Sequence, residues 1–237
     1  MQVSIVIPVF NEEDNVVPLA AELVPLQQQI PGLEIILVDD GSRDGTWAKI
    51  QACAKQHPFI RGIRSIRNGG QTSAMLIGLN HARGDIIVTL DGDLQNNPAD
   101  IPAVVAELRK GDCDAVCGYR AKRRDAWSRR VGSRIANAIR NGVTHDGLRD
   151  TGCSLKAFKR ECVKDLPPLN GAHRFIGAYF KLNGRRIREM PVDHRHRRHG
   201  TSKYTNLKRL PKTAFDLIGY LWYRRRKLPE QQIEETS

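Results

Sequence analysis

A β-branched run at residues 85–90 ends in Asp91, Gly92, Asp93, Leu94 and Gln95. In an extended segment residues i, i+2 and i+4 project to one side, so Asp91, Asp93 and Gln95 are predicted to offer three oxygen ligands to one hard divalent cation, Mg2+ or Mn2+. A cation held by two carboxylates completes its shell with substrate phosphates. The competing reading makes Asp91 and Asp93 turn residues around Gly92. A second apolar run ends in Val38, Asp39, Asp40, Gly41 and Ser42. Acids at such a strand tip accept hydrogen bonds from a nucleotide base or ribose. They also cap turns, and Ser42 or Asp44 can cap the helix that follows; both roles are expected. The first apolar run ends in Pro8, Val9, Phe10, Asn11 and Glu12.

The elements that must position these residues alternate in type. Candidate strands at 3–9, 34–38, 60–67, 85–90 and 115–118 are separated by helical patterns at 15–29, 45–56, 71–82 and 98–109. Such alternation is the mark of parallel βαβ units, an α/β fold with a mostly parallel sheet. Open sheets of that kind bind ligands beyond the carboxyl ends of their strands, so three polar strand ends converge on one crevice. Pro25 conflicts with the first helix and predicts a kink or an early end. Pro98, after Asn96 and Asn97, suits the first position of the fourth. Beyond Arg120 the pattern becomes Arg-rich, with a helix at 131–141, a strand at 154–158, a helix at 175–182, a strand at 188–192 and a final amphipathic basic helix at 206–227.

The chain has 237 residues and a formal charge of +12, placed unevenly: residues 1–118 carry 9 Lys and Arg against 15 Asp and Glu, and residues 119–237 carry 29 against 11. A basic half of that strength calls for an anionic partner. Five cysteines (Cys53, Cys113, Cys117, Cys153 and Cys162) form no CxxC pair, which fits a reducing compartment better than a disulfide framework or a zinc ribbon. No basic segment precedes the strand VSIVIPVF, an argument against a signal peptide. The apolar stretch at 214–223, interrupted by Asp216, is about half of the roughly 20 residues that a bilayer crossing takes. No GxGxxG follows the first strand and no GxxxxGK[ST] occurs, so the dinucleotide and P-loop classes lose their phosphate-binding loops. His194, His196 and His199 stand in an extended basic tract with only Asp193 beside them, a weak metal signal that reads instead as an anion-attracting loop.

Four segments, SIVIPVFNEEDN, IILVDDGSRDGT, RNGGQTSAMLIGLNHARGDIIVTLDGDLQNNP and DTGCSLKAFKRE, resemble the family 2 glycosyltransferases of GT-A fold. Within these the chain is most similar to the polyprenyl-phosphate sugar transferases, the branch that includes dolichol-phosphate mannose synthase. The resemblance covers residues 2–205. It implies a GT-A domain at 1–205, with a donor-binding half at 1–118 and a basic acceptor half at 119–205, followed by the basic helix and tail at 206–237. By position it assigns Pro8, Phe10 and Glu12 to the first donor loop, Val38 and Asp40 to the nucleoside, and Asp91, Asp93 and Gln95 to metal and diphosphate. Gly92 stands where many relatives have Ala, a departure expected to matter little. Arg120 matches a donor-contacting Arg, Arg197 and Lys203 in RRHGTSK match the pair that closes over the diphosphate, and Asp150 matches an acid near the acceptor.

The resemblance implies a metal-dependent inverting transfer of a sugar from a nucleotide-diphosphate donor to a polyprenyl phosphate at the cytosolic face of a membrane. Arg129, Arg130 and Arg134 are candidates for the acceptor phosphate, because guanidinium groups must hold one anion beside another; a solvated basic helix face is the alternative. A saccharide hydroxyl acceptor would instead demand a general base, with Asp150 the first choice. A nucleic-acid-binding module accounts for the basic half but leaves Asp40, Asp91, Asp93 and Gln95 without purpose, so no nucleic acid partner is expected. At 214–227 aromatic residues stand beside Arg224, Arg225, Arg226 and Lys227, a combination that suits an anionic membrane surface; a helix packed on the enzyme's core is the alternative. Many relatives continue into membrane-spanning helices here, so peripheral contact or a separate membrane protein is expected to bring the lipid.

Overall fold

The structure, a computed structural model, describes residues 1–121, 140–196 and 206–228, with backbone alone for 206–212. Seven strands form one sheet in the order β3-β2-β1-β4-β6-β5-β7. They are β1 (Val3–Val9), β2 (Leu33–Asp39), β3 (Ile60–Arg64), β4 (Ile86–Thr89), β5 (Ala115–Arg120), β6 (Lys156–Lys159) and β7 (Ile187–Val192). β1, β2, β3 and β4 pair in parallel, β6 runs antiparallel to both β4 and β5, and β5 pairs in parallel with β7. One reversed strand among seven therefore carries its amino end to the edge where the others finish.

Burial on both faces explains the almost unbroken apolar sequence of the central strands. Val3, Ile5, Ile7 and Val9 of β1 pack on one side with Leu19 and Leu23 of α1 (Glu13–Leu23), Ile50 of α3 (Thr46–Gln56) and Val104 and Leu108 of α5 (Ile101–Arg109). Val6 of β1 faces the other side, with Ala74 and Leu79 of α4 (Gln71–His81), Tyr179 and Phe180 of α6 (Ile176–Leu182) and Tyr220 of α7 (Asn206–Arg226).

Local chemistry moves several expected boundaries. The helix predicted over 15–29 divides at Pro25, which starts the single turn α2 (Leu26–Gln29). β3 stops at Arg64 rather than continuing to residue 67, and Ile66 is exposed. Pro98 opens a 3-10 turn rather than the α-helix itself, with the Asn97 side chain accepting from the Ala99 N–H at 3.1 Å. β6 begins at Lys156, two residues later than expected. The helix expected at 131–141 is described only from Arg140, and residues 140–144 are helical.

The turn that follows β4 departs most from the expected geometry. β4 ends at Thr89, and Leu94 is buried with a left-handed φ of +61°. Asp91, Asp93 and Gln95 therefore sit on a reversing turn, as the competing reading has it, not on one side of an extended strand. Gly92 packs against the end of β1, where a Cβ would meet Val9 Cγ1 at 2.6 Å and Pro8 O at 3.5 Å. The space of the missing methyl group, whose absence was expected to matter little, is thus taken by the Val9 side chain.

On the far side of the sheet, Lys159 Nζ donates to Asp114 at 2.7 Å and the Arg186 N–H donates at 2.9 Å, joining β6 to the approach to β7. Partial burial opposes the charge, but these donors outweigh it and bring the Asp114 carboxyl from 3.8 to about 2. A depressed carboxyl contributes stability above its unfolded value and loses it as pH falls through the folded one. Wild-type stability is expected to drop between pH 4 and about 2. Asp114→Asn should flatten that part of a denaturant-derived stability profile, and an unchanged acid limb would refute the assignment.

Candidate active site

The carboxyl ends of β1, β2, β4 and β5 border a cleft of about 380 Å3. Pro8, Phe10 and Glu12 come from the loop after β1, Asp40 from the end of β2, Asp91, Asp93 and Gln95 from the turn after β4, and Arg120 from the end of β5. Val38 is the exception among the expected donor residues. Its side chain is fully buried in the core beside Ala74, which leaves only its backbone to approach a nucleoside.

The two acids after β2 divide the roles expected of them. Asp39 caps the turn, accepting from the Ser42 N–H at 2.9 Å, and Arg64 lies 3.2 Å away. Asp40 faces the cleft and accepts from Asn68 Nδ2 at 2.9 Å and from the backbone N–H groups of Gly69 and Gly70 at 2.9 and 2.8 Å. It thereby holds the loop that starts α4. Helix α3 is capped one residue early: Asp44 accepts from the Thr46 N–H and hydroxyl at 3.0 and 2.6 Å. Burial opposes ionisation of Asp44, yet these bonds keep its carboxyl below the ordinary value. Ser42 instead accepts from the Asn11 N–H at 2.8 Å, and Asn15 Nδ2 donates to Glu12 at 2.6 Å. The Glu12 N–H also donates to Thr46 Oγ1 at 2.9 Å, so the loop after β1 is tied to the end of β2 and to the start of α3.

The acid turn is fastened from the opposite chain direction. Thr89 donates its hydroxyl to Ser154 O at 2.7 Å, while Ser154 Oγ accepts from the Asp91 N–H at 3.2 Å and from Asn96 Nδ2 at 2.6 Å. Gln71 Nε2 donates to Asp91 at 2.9 Å, and the Gln95 N–H donates to Asp93 at 3.2 Å. Two carboxylates and an amide oxygen make an all-oxygen donor set, which suits a hard cation such as Mg2+ or Mn2+ rather than a soft one. No group of three His, Cys, Asp or Glu gathers at one point among the described residues.

Arg120 and Asp150 form a fork. Arg120 Nε and Nη2 donate to the two carboxylate oxygens at 2.6 and 2.8 Å, and the Arg120 N–H adds a bond at 3.2 Å. Both groups border a second cavity of about 510 Å3 that shares Pro8, Gln71, Asp91 and Ser154 with the first cleft. Its other walls combine Arg140, Lys156, His173 and Arg174 with Met75, Leu90, Phe175 and Ile176. Arg140 lies 3.6 Å from Asp146 and donates to Leu148 O at 2.8 Å. Burial lowers its basicity, and the acids around it oppose that loss. Cys153 lines both spaces as an inert wall, because burial pushes its thiol up.

Two contributors were hidden in sequence. Ser154 lay inside a motif read for Asp150 alone. His194 lines the first cleft through a bridge to Asn96; its only signal was the histidine tract. The neighbouring Arg195 N–H donates to Gln95 O at 2.7 Å, and Arg195 Nη1 donates to Glu22 at 2.7 Å. The segment that leads toward Arg197 and Lys203 is thus moored on the acid turn. Arg129, Arg130, Arg134, Arg197 and Lys203 lie outside the described residues.

Comparison with known proteins agrees with this arrangement. Residues 4–167 match the profile of the family described as Glycosyl transferase family 2. The dodecaprenyl-phosphate galacturonate synthase of Rhizobium johnstonii is 38% identical over 232 residues, 96% of this chain and 68% of that protein. The undecaprenyl-phosphate 4-deoxy-4-formamido-L-arabinose transferase of Edwardsiella ictaluri is 38% identical over 219 residues, 91% of this chain and 66% of that protein. The chain thus spans about two thirds of the length of these relatives. Among solved structures, the glucosyl-3-phosphoglycerate synthase of Mycobacterium tuberculosis, in complex with Mn2+, UDP and glucosyl-3-phosphoglycerate, superimposes with a TM-score of 0.72 at 22% identity, covering 94% of this chain and 79% of that one. A mannosyltransferase of Pyrobaculum calidifontis, in complex with GDP-Man and Mn2+, gives 0.67 at 22% identity, covering 97% and 66%. The structural likenesses show the GT-A fold, and the sequence matches show the family: this chain belongs to glycosyl transferase family 2 and is a glycosyltransferase.

Proposed function

We propose that the chain transfers a sugar from a nucleotide-diphosphate donor to a polyprenyl phosphate, with inversion at the anomeric carbon and with a divalent cation as cofactor. The observation that carries this reading is the pair of cavities that meet at Asp91, Gln71 and Arg120. One is lined by carboxylates on a reversing turn; the other is both basic and apolar, as an amphiphilic phosphate requires. The lipid carriers named for the sequence relatives, dodecaprenyl and undecaprenyl phosphate, support the acceptor class. The UDP, GDP-Man and Mn2+ of the structural neighbours support the donor class and the metal.

Asp91, Asp93 and Gln95 would hold the cation, which when bound neutralises the leaving diphosphate. Glu12, Phe10 and Asp40 orient the nucleoside side of the donor, and Arg197 and Lys203 complete the clamp on its diphosphate. An acceptor phosphate oxygen bonds to the anomeric carbon as the bond from that carbon to the diphosphate oxygen breaks, and the diphosphate leaves with the electron pair. A phosphate monoester with a second pKa of about 6 is largely ionised at neutrality, so the nucleophile needs no strong base. The fork with Arg120 occupies both oxygens of Asp150, which favours a positioning role over general-base chemistry and weighs against the hydroxyl-acceptor alternative. Arg129, Arg130 and Arg134 remain candidates for the acceptor phosphate.

Helix α7 unites the two alternatives read from its sequence. Tyr220 is buried, stacked 5.7 Å from Phe175 and edge-on to Tyr179 at 5.3 Å, so one face belongs to the core. The other exposes Phe215, Ile218 and Trp222, one helical face by spacing. Exposed Arg224, Arg225 and Arg226 follow. No helix among the described residues is long and apolar enough to cross a membrane. We assign the outer face to peripheral contact with an anionic bilayer on its cytosolic side.

Four outcomes test this reading. Decaprenyl phosphate, offered with a panel of UDP-, GDP- and dTDP-sugars, should be glycosylated in the presence of Mn2+ or Mg2+ and not after chelation. Asp93→Asn should cost about 10² to 10³ in rate, the scale for removing one preorganised charge-stabilising group, at an unchanged melting temperature; full turnover by the folded variant would end the metal mechanism. Asp150→Asn should weaken turnover roughly 10- to 100-fold by loosening a charge-assisted pair while leaving the shape of the pH–rate profile intact. Loss of the acidic limb in that variant would restore the base. Lastly, the double change Ile218→Ala and Trp222→Ala should reduce salt-sensitive binding to anionic vesicles without loss of stability. Tyr220→Ala should cost about 3 to 5 kcal/mol of stability, and vesicle binding indifferent to the outer face would refute the membrane contact.

A further inference from the structure

The second cavity has a wall whose fastening crosses the whole site. Helix α4 begins at Gln71, whose side chain donates to Asp91. The next residue, Thr72, is buried; its hydroxyl oxygen accepts from the Gly171 N–H at 2.9 Å and lies 2.6 Å from His173 Nδ1. Gly171 has a left-handed φ of +88° and leads into a 3-10 turn, Ala172–Phe175. Arg174 in that turn donates to Asp216 of α7 at 2.6 Å and to Thr213 at 3.3 Å. A Cβ at Gly171 would meet the Asp216 carboxyl carbon at 2.4 Å, so this carboxylate lies directly on the turn. Asp216 is also the only acidic residue between 206 and 226. An unbroken set of contacts thus runs from α7 through residues 171–174 and Thr72 to the neighbour of Gln71, and so to Asp91.

Stability alone accounts poorly for this set. The stacking of Tyr220 on Phe175 and Tyr179 already anchors α7, whereas the polar contacts border the cavity: Gln71, Asp91, His173, Arg174 and Thr213 all line it. They fix the distance between the wall and the acid turn. A displacement of about 1 Å in such a wall can cost 10²-fold in a reaction that depends on near-attack geometry. The donor side shares Gln71 and Asp91 with this wall but has further fastenings of its own, those of Asp40, Ser42 and Asn15.

We propose that Thr72, His173, Arg174 and Asp216 form a positioning bridge through which helix α7 sets the wall of the second cavity against Asp91, so that use of the acceptor depends on the bridge more than use of the donor does. The inference rests on the acceptor reading above for its kinetic consequence, but the bridge itself is a property of the fold. Because α7 also carries the outward apolar face, the bridge joins the part of the molecule that meets the lipid to the part that acts on it.

The test uses the full chain with Thr72→Val, Thr72→Ser and Asp216→Asn. Hydrogen exchange is followed on peptides covering 71–76, 170–176 and 213–223, with 46–56 as control. Thr72→Val and Asp216→Asn should each speed exchange about tenfold in both 71–76 and 170–176, the scale of one lost charge-assisted or buried hydrogen bond, and leave 46–56 alone. Thr72→Ser, which keeps the hydroxyl, should match wild type. With decaprenyl phosphate as acceptor and the nucleotide sugar that wild type turns over fastest as donor, the acceptor KM should rise at least about fivefold in Thr72→Val and Asp216→Asn while the donor KM stays within about twofold. Equal effects on both substrates, no rescue by serine, or an Asp216→Asn effect confined to 213–223 would each overturn the bridge. A wild type that never glycosylates decaprenyl phosphate would count against the proposed acceptor, and the exchange comparison would still decide the bridge.

Discussion

One reversed strand governs this site. Six parallel strands alone would present Asp40, Asp91 and Arg120 on separate loops with little to hold those loops together. Because β6 runs against β4 and β5, the segment before it arrives at the carboxyl edge and places Ser154 under the turn that carries Asp91. The Ser154 hydroxyl then bridges Asp91 and Asn96, and Asp150, four residues earlier, meets Arg120. A ladder of backbone bonds in the sheet core thus determines where two charged groups face each other. Preorganisation of this kind places charge before a substrate arrives, and it costs nothing at the moment of reaction.

Charge is distributed on the same plan. The acidic half of the sequence supplies the turn and the strand end at Asp40, and the basic half supplies the fork, Lys156, Arg140 and Arg174. Among the described residues, the guanidinium groups at the site have protein partners: Arg120 with Asp150, Arg140 with Asp146, Arg174 with Asp216. Paired guanidinium groups are held in fixed orientations, and orientation is what a transfer between two anions demands.

Much of the fold was legible because its signals are local. The βαβ alternation, the break at Pro25 and the cap at Asn97 follow from backbone chemistry within a few residues. The strand-end acids were equally visible, since Asp91, Asp93 and Gln95 stand within five positions. Their geometry stayed open between one face of a strand and a turn around Gly92, and buried Leu94 in a left-handed conformation decides it for the turn. Val38 was assigned to the nucleoside by position, but burial on both sheet faces takes its side chain away. The contacts of Ser154 with Asp91, of His194 with Asn96 and of Thr72 with Gly171 join residues 63 to 99 positions apart, a separation that no periodicity or spacing rule reaches.

The pairing of Gly92 with Val9 limits substitution in the turn. A side chain at position 92 and a branched side chain at position 9 compete for one space, since a Cβ on the first would sit 2.6 Å from a methyl of the second. An alanine at position 92 therefore has to displace the Val9 side chain, which is buried in the core. What the turn can carry is in this way a question put to a residue at the end of the first strand, outside the acid motif itself.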